Sequence, residues 1–66
     1  MQIILNGDSV VTADGATVEM LLLQLGISRE RVAVELNADI VPKREYEKQL
    51  ISDGDIIEIV HFVGGG

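Results

Sequence analysis

Residues 56–63, IIEIVHFV, carry the longest strand signal of this 66-residue chain. β-branched and aromatic residues dominate the stretch, and apolar side chains fall on both of its alternating faces. A strand that is apolar on both faces is typical of the middle of a sheet. The turn sequence SDGD precedes it at residues 52–55, and three glycines follow it at residues 64–66.

A second apolar strand is predicted at the N-terminal end of the chain. QIILN is followed by GDSVVT, and Asn6-Gly7 between them favours the left-handed conformations of a tight hairpin turn. Because residues 3–5 are consecutive and apolar, this first strand is also predicted to be central. The strand after the turn is more polar and suits an edge.

One helix is predicted between Thr17, a capping residue, and Gly26, a terminating residue. Met20 and Leu23 fall on the solvent side of this helix, as incidental exposed residues or as a partner contact. The apolar stripe that would face a sheet consists of Val18, Leu21, Leu22 and Leu25.

The remaining segments complete one α+β domain. RVAVEL at residues 31–36 alternates as a half-buried strand does, and residues 37–39 turn the chain into IVP. KREYEK at residues 43–48 predicts a mixed-charge surface turn anchored by Tyr46. Two central strands at the chain's two ends predict a mixed sheet of four to five strands crossed by one helix. This is the β-grasp, or ubiquitin-like, fold, expected over residues 1–63 with a flexible glycine tail at 64–66.

Charge and composition narrow the possible partners. Eleven acidic and five basic residues give a net charge of −6, which opposes binding to nucleic acid or anionic membranes and favours basic protein partners. No apolar stretch approaches the roughly 18 to 20 residues that span a bilayer. Cysteine is absent, so no disulfide, thiolate metal site or cysteine nucleophile is expected. We expect a cytoplasmic protein without nucleic-acid or membrane partners.

The side chains offer little catalytic chemistry. His61 has no cysteine or second histidine to work with, and we interpret it as structural. Asp53 and Asp55 bracket Gly54, but the neighbouring positions do not supply the ligands of a calcium loop. No catalytic residue, metal site or bound cofactor is therefore predicted. The terminal glycines remain, as a frayed end, an added linker, or a tail whose carboxylate reacts.

Five stretches together resemble the ThiS family, the sulfur carriers of thiamine biosynthesis. They are ILNG, TVEMLLLQLG, VAVELNADIVPKREY, DGDIIEIVHFVGG and the glycine end, and they cover essentially the whole chain. The resemblance implies a β-grasp carrier that is not itself an enzyme. It also implies that an E1-like adenylyltransferase consumes ATP to adenylate the terminal glycine. Sulfur from a cysteine desulfurase then replaces AMP, and thiazole synthase uses the resulting thiocarboxylate.

Mapped onto this sequence, the resemblance makes Gly66 the modified residue, with Gly64 and Gly65 threading the partner's channel. Docking to partners is expected through Phe62 and Val63, and through Met20 and Leu23 if the helix takes part. Two alternatives share the fold: a carrier like the small subunit of molybdopterin synthase, and a ubiquitin-like protein modifier. A plain β-grasp interaction module with a frayed tail is the alternative from another class.

Overall fold

A computed structural model describes residues 1–62 of the chain, as five strands, one α-helix and two short 3₁₀ turns. The 3₁₀ turns span Arg29–Arg31 and Lys43–Glu45. The strands and the helix, in chain order, are β1 (Gln2–Leu5), β2 (Asp8–Val11), α1 (Val18–Leu25), β3 (Val32–Leu36), β4 (Asp39–Val41) and β5 (Ile56–His61).

The five strands form one mixed sheet in the order β2-β1-β5-β3-β4. β1 and β5 run parallel, and every other neighbouring pair is antiparallel. The first and last strands of the chain are therefore adjacent and central, and β2 lies at an edge, as the sequence predicts. The predicted β-grasp fold is confirmed.

The β1–β2 hairpin turns at the predicted Asn6-Gly7 dipeptide. Both residues have positive φ, 48° at Asn6 and 88° at Gly7. Asparagine and glycine are the residues that tolerate this region most readily, so the dipeptide sets the register of the hairpin. In that register Ile3 lies opposite Val10 and Gln2 opposite Val11.

Helix α1 begins and ends at the residues that the sequence indicates. The Thr17 hydroxyl accepts a hydrogen bond from the Met20 amide at 3.2 Å, which satisfies one of the free N–H groups of the first turn. Gly26 ends the helix with a φ of 70°, and its amide donates to the last-turn carbonyls. The helix buries Val18, Leu21 and Leu22 and leaves Leu25 partly buried.

The core lies between α1 and one face of the sheet, called here the inner face. Tyr46 is buried in this core, as its predicted anchoring role requires, and Ile51 joins it from the loop before β5. The sheet contributes Ile3, Val32, Val34, Val41, Ile57 and Ile59. Within residues 1–62, no helix is both long and apolar enough to cross a membrane.

Candidate functional site

The end of β5 is where the predicted tail begins, and its backbone is held on the β3 side. The Phe62 amide donates a 2.9 Å hydrogen bond to the Arg31 carbonyl, one residue beyond the last paired residues, His61 and Val32. The antiparallel ladder therefore holds the chain as far as Phe62. Val63, Gly64, Gly65 and Gly66, all predicted site residues, lie outside the described residues.

The side chain of Phe62 is on the surface and is 58% exposed. The Lys43 ammonium lies 5.4 Å from the centre of its ring, within the range of a cation–π interaction. The same ammonium donates to the Glu30 carbonyl at 3.3 Å. Phe62 is thus positioned by a neighbour without being buried, and its ring remains available to a partner.

On the other side of β5, the Asn6 side chain binds both main-chain groups of Ile59. Its Nδ2 donates to the Ile59 carbonyl at 3.2 Å, and its Oδ1 accepts from the Ile59 amide at 2.8 Å. The parallel β1–β5 pairing ends at Leu5 and Ile57. The side-chain amide of Asn6 therefore takes the place of the peptide group that a longer β1 would offer to Ile59. Sequence reasoning assigned Asn6 to the turn alone and missed this contact.

The start of β5 is fixed in a similar way by Asn37 and Asp55. Asn37 Oδ1 accepts from the Ile56 amide at 2.9 Å, and Asn37 Nδ2 donates to Asp55 Oδ1 at 3.0 Å. The other Asp55 oxygen accepts from the Ser52 amide at 2.7 Å. Asp53 accepts from the Gln2 amide at 2.8 Å. The two aspartates of the SDGD turn therefore serve the backbone, in agreement with their interpretation as a turn.

The face of the sheet away from α1, called here the outer face, exposes apolar side chains. Ile4 of β1 lies beside Ile56 of β5, and Val60 lies opposite Ala33 of β3. No second layer covers these residues within the described chain. Val60 is 55% exposed and Ile56 51% exposed. The alternation of residues 56–63 predicted apolar side chains on both faces of β5, but only the inner set is buried.

The predicted docking residues do not form one surface. Met20 is 48% exposed and Leu23 74% exposed, and both lie on the side of α1 away from its buried stripe. Phe62 belongs to the opposite layer, at the end of β5. The structure instead places Phe62 directly after β5, the strand that carries Ile56 and Val60. The two-faced apolar pattern of residues 56–63 carries the signal for Ile56 and Val60, because such a strand exposes one apolar set when only one face is covered.

The basic residues near Tyr46 form a structural network. The Arg29 guanidinium contacts Glu19 at 2.8 Å and Glu47 at 3.5 Å, donates to the Lys43 carbonyl, and lies 5.5 Å from the Tyr46 ring centre. Burial raises the pKa of the Tyr46 hydroxyl above its ordinary value.

A surface depression of about 390 Å³ nearby is lined by Arg44, Glu45, Lys48 and Gln49. This mixture of charges agrees with the mixed-charge surface that the sequence predicts.

The side chains offer no arrangement for metal chemistry in the described part of the chain. No group of three or more histidine, cysteine, aspartate and glutamate side chains there could hold a metal ion. His61 lies exposed at the end of β5, opposite Val32.

These features define a β-grasp protein whose last strand is held on both sides. The ThiS family model matches residues 3–66. The crystal structure of the thiamine biosynthesis protein ThiS from Geobacter metallireducens superposes with a TM-score of 0.86 at 32% identity, over 100% of both chains. The chain belongs to the ThiS family.

Two curated relatives differ in how much of their own length they share with this chain. The sulfur carrier protein ThiS of Bacillus subtilis is 43% identical over 63 residues, which cover 94% of this chain and 96% of that protein. A thiazole synthase of Paramagnetospirillum magneticum is 46% identical over 66 residues, which cover 100% of this chain. The chain spans only 20% of the length of that thiazole synthase.

Proposed function

We propose that this protein is the sulfur carrier of thiamine biosynthesis and that it holds sulfur as a thiocarboxylate on Gly66. The observation that carries the proposal is the family match, which continues through Gly66 and so includes the glycine end. The Bacillus subtilis relative, matched over nearly its whole length, is itself named a sulfur carrier protein. The absence of cysteine supports the main-chain terminus as the place where sulfur is held.

The proposed chemistry needs only the terminal carboxylate of this chain. A carboxylate is a poor electrophile until it is activated, so a partner must first convert it to a mixed anhydride. In an E1-like adenylyltransferase, a Gly66 carboxylate oxygen attacks the α-phosphorus of ATP and displaces pyrophosphate. A persulfide supplied through a cysteine desulfurase then attacks the carbonyl carbon, and AMP leaves. A thiol reductant cleaves the S–S bond of the resulting acyl disulfide, which leaves the thiocarboxylate on Gly66 and forms a disulfide with the released thiol. The chain is the co-substrate of these enzymes and performs no catalytic step itself.

Residues 64–66 act in this proposal as a flexible delivery arm attached to a domain of residues 1–63. Glycines have no β-carbon, so they suit a narrow channel and close approach to a nucleotide. Two observations support a fixed base for the arm. The Phe62 amide bonds to Arg31 on one side, and the Asn6 side chain binds Ile59 on the other. A fixed base lets docking of the domain determine where the arm enters its partner.

We propose thiazole synthase as the enzyme that receives the sulfur. In the Paramagnetospirillum magneticum relative, a segment similar to this whole chain is part of a thiazole synthase. Two activities joined in one chain need to meet, which supports contact between the separate proteins here. The outer-face residues Ile4, Ile56 and Val60, with Phe62, are the proposed docking surface. A cysteine-free chain fits the reducing cytoplasm, where we place these steps.

Adding residues after Gly66 tests the assignment of the reactive group. We expect a chain with one alanine appended after Gly66, and a chain lacking Gly65 and Gly66, to lose ATP–pyrophosphate exchange with the adenylyltransferase. Both should keep the melting temperature of the original chain, because the alterations lie beyond the described domain. A matched control with one alanine added before Met1 should exchange normally. Normal exchange by the C-terminally extended chain would contradict the role of Gly66.

A further inference from the structure

From the Glu35–Glu58 pair onward, the outer surface of β3 and β5 changes from acidic to apolar to basic toward Phe62. Glu35 lies opposite Glu58, and the next outward pair is Ala33 opposite Val60. Beyond them, the Phe62 amide bonds to the Arg31 carbonyl. We call these six residues, together with Lys43 beside the Phe62 ring, the polarised strip. Because two residues of an extended strand advance by about 6.8 Å, roughly 14 Å separate Glu58 from Phe62 along the chain.

The acidic end of the strip is unfavourable for the isolated fold. Glu35 and Glu58 are directly opposite neighbours, and like charges in that position destabilise a sheet. Neither carboxylate takes part in an ion pair between residues 1–62. The pair therefore gives the described domain no compensating contact, and a cation supplied from outside would relieve the repulsion.

The opposite end of the strip is basic, although the chain as a whole carries a net charge of −6. Arg31 is exposed beside the base of the tail, and the Lys43 ammonium lies 5.4 Å from the Phe62 ring centre. Unlike Arg29, which contacts three glutamates, Arg31 and Lys43 form no ion pair with any side chain of residues 1–62. Two cations thus lie beside Phe62, the last described residue, where they can face a partner.

We propose that the polarised strip is the surface that orients this protein on thiazole synthase. The complementary surface would present lysine or arginine to Glu35 and Glu58, apolar side chains to Val60, and carboxylates to Arg31 and Lys43 at the channel mouth. The inference rests on the proposed function. Thiazole synthase is chosen because a relative of that name includes a segment similar to this whole chain. If the domain docked in the reverse orientation, like charges would meet at both ends of the strip. Only one orientation of the domain on thiazole synthase therefore pairs opposite charges.

Variants matched in net charge separate this strip from general electrostatic attraction. Glu58→Gln and Asp8→Asn each change the net charge from −6 to −5, but Asp8 lies on β2, at the far edge of the sheet. Arg31→Gln and Lys48→Gln each change it to −7, and Lys48 lies outside the strip. The affinity of each full-length chain for purified thiazole synthase of the same organism would be measured at about 50 mM salt, where screening is weak.

We expect Glu58→Gln and Arg31→Gln each to weaken binding by about five- to tenfold, the scale of one well-placed charge contact, and both controls to stay within about twofold. Arg31→Gln is the decisive variant. Net-charge attraction to a basic partner predicts tighter binding by the −7 chain, and the strip predicts weaker binding. Glu58→Gln should also melt at an equal or higher temperature, because it removes the repulsion with Glu35, so its weaker binding cannot reflect unfolding.

Tighter binding by Arg31→Gln, or equal binding by all four variants, would overturn the inference. It would equally be overturned if the variants weakened binding to the adenylyltransferase alone, because the strip would then serve another partner. Failure of the proposed function is a separate result. If the original chain never acquires a thiocarboxylate, the carrier role is contradicted. If it acquires the thiocarboxylate but all four variants bind thiazole synthase equally, only the role of the strip is contradicted.

Discussion

Ile56 and Ile57 are neighbours on β5, yet Ile57 is fully buried and Ile56 is half exposed. Ile57 faces the inner side of the sheet, where α1 and Tyr46 complete the core. Ile56 faces the outer side with Ile4 and Val60, where the described chain supplies no covering layer. Antiparallel strands with one solvated face normally place polar residues on it. The exposed apolar residues of the outer face, Ile4, Ile56 and Val60, are therefore not explained by the fold, and exposed apolar surface can mark a contact site.

The largest expected effect comes from truncating the two isoleucines separately. Ile57→Ala should lower the free energy of unfolding by about 2–5 kcal/mol, because it removes buried methyl groups and leaves a cavity. Ile56→Ala should change it by no more than about 0.5 kcal/mol, as for other surface substitutions. Urea denaturation of both variants gives the comparison. Similar losses for the two would mean that the outer face also stabilises the fold.

Replacing Asn6 tests the joint between the domain and the base of the tail. Asn6→Ala removes both side-chain hydrogen bonds to Ile59 and should destabilise by about 1–3 kcal/mol. Asn6→Asp is the matched variant, because it keeps the acceptor for the Ile59 amide and loses the donor to the carbonyl. Hydrogen exchange at the Ile59 amide should accelerate more in Asn6→Ala than in Asn6→Asp. Equal exchange in both would remove Asn6 from this role.

A smaller effect on the melting temperature is expected from the ionisation of Tyr46, a residue of the core, and only in alkaline solution. Burial raises the pKa of Tyr46 in the folded chain, so the neutral hydroxyl favours folding. This contribution is fully present below the unfolded pKa of about 10 and is lost as pH rises through the higher folded value. The melting temperature should thus decline more steeply above about pH 10 in the original chain than in Tyr46→Phe. Parallel declines would show that Tyr46 ionisation is not involved.

The smallest expected effect on stability accompanies a large effect on docking. Phe62→Asp should alter the free energy of unfolding by at most about 0.5 kcal/mol, because the side chain is mostly exposed, and should weaken binding to thiazole synthase. Leu23→Asp is the matched change on the exposed side of α1, and we expect it to leave binding unchanged. If Leu23→Asp weakens binding and Phe62→Asp does not, the helix and not the sheet is the docking surface.

The fold could be predicted from sequence because its signals are local. The Asn6-Gly7 turn, the Thr17 and Gly26 helix ends and the buried stripe of α1 each follow from residue type and spacing. The central, adjacent placement of β1 and β5 followed from two strongly apolar strands at opposite ends of the chain. All of these features are confirmed, because short-range geometry and burial favour the same structure.

The candidate site was harder to predict because it depends on pairing between distant residues. Asn6 reaches Ile59, and Glu35 meets Glu58, only after the strands have paired in register. Alternation showed that β5 has two apolar faces, but it could not show which face the helix would cover. The sequence likewise predicts Met20, Leu23 and Phe62 all as docking residues, because it does not show that the helix and the end of β5 present these side chains on opposite sides of the molecule.

The carrier role itself is tested most directly by the mass of the intact chain after incubation with ATP, the adenylyltransferase and a sulfur source. We predict that one oxygen is replaced by one sulfur, that fragmentation assigns the change to Gly66, and that thiazole synthase consumes the modified chain. The chain extended by one alanine should keep its original mass. An unchanged mass in the original chain, or assignment of the added sulfur to any residue other than Gly66, would contradict the account.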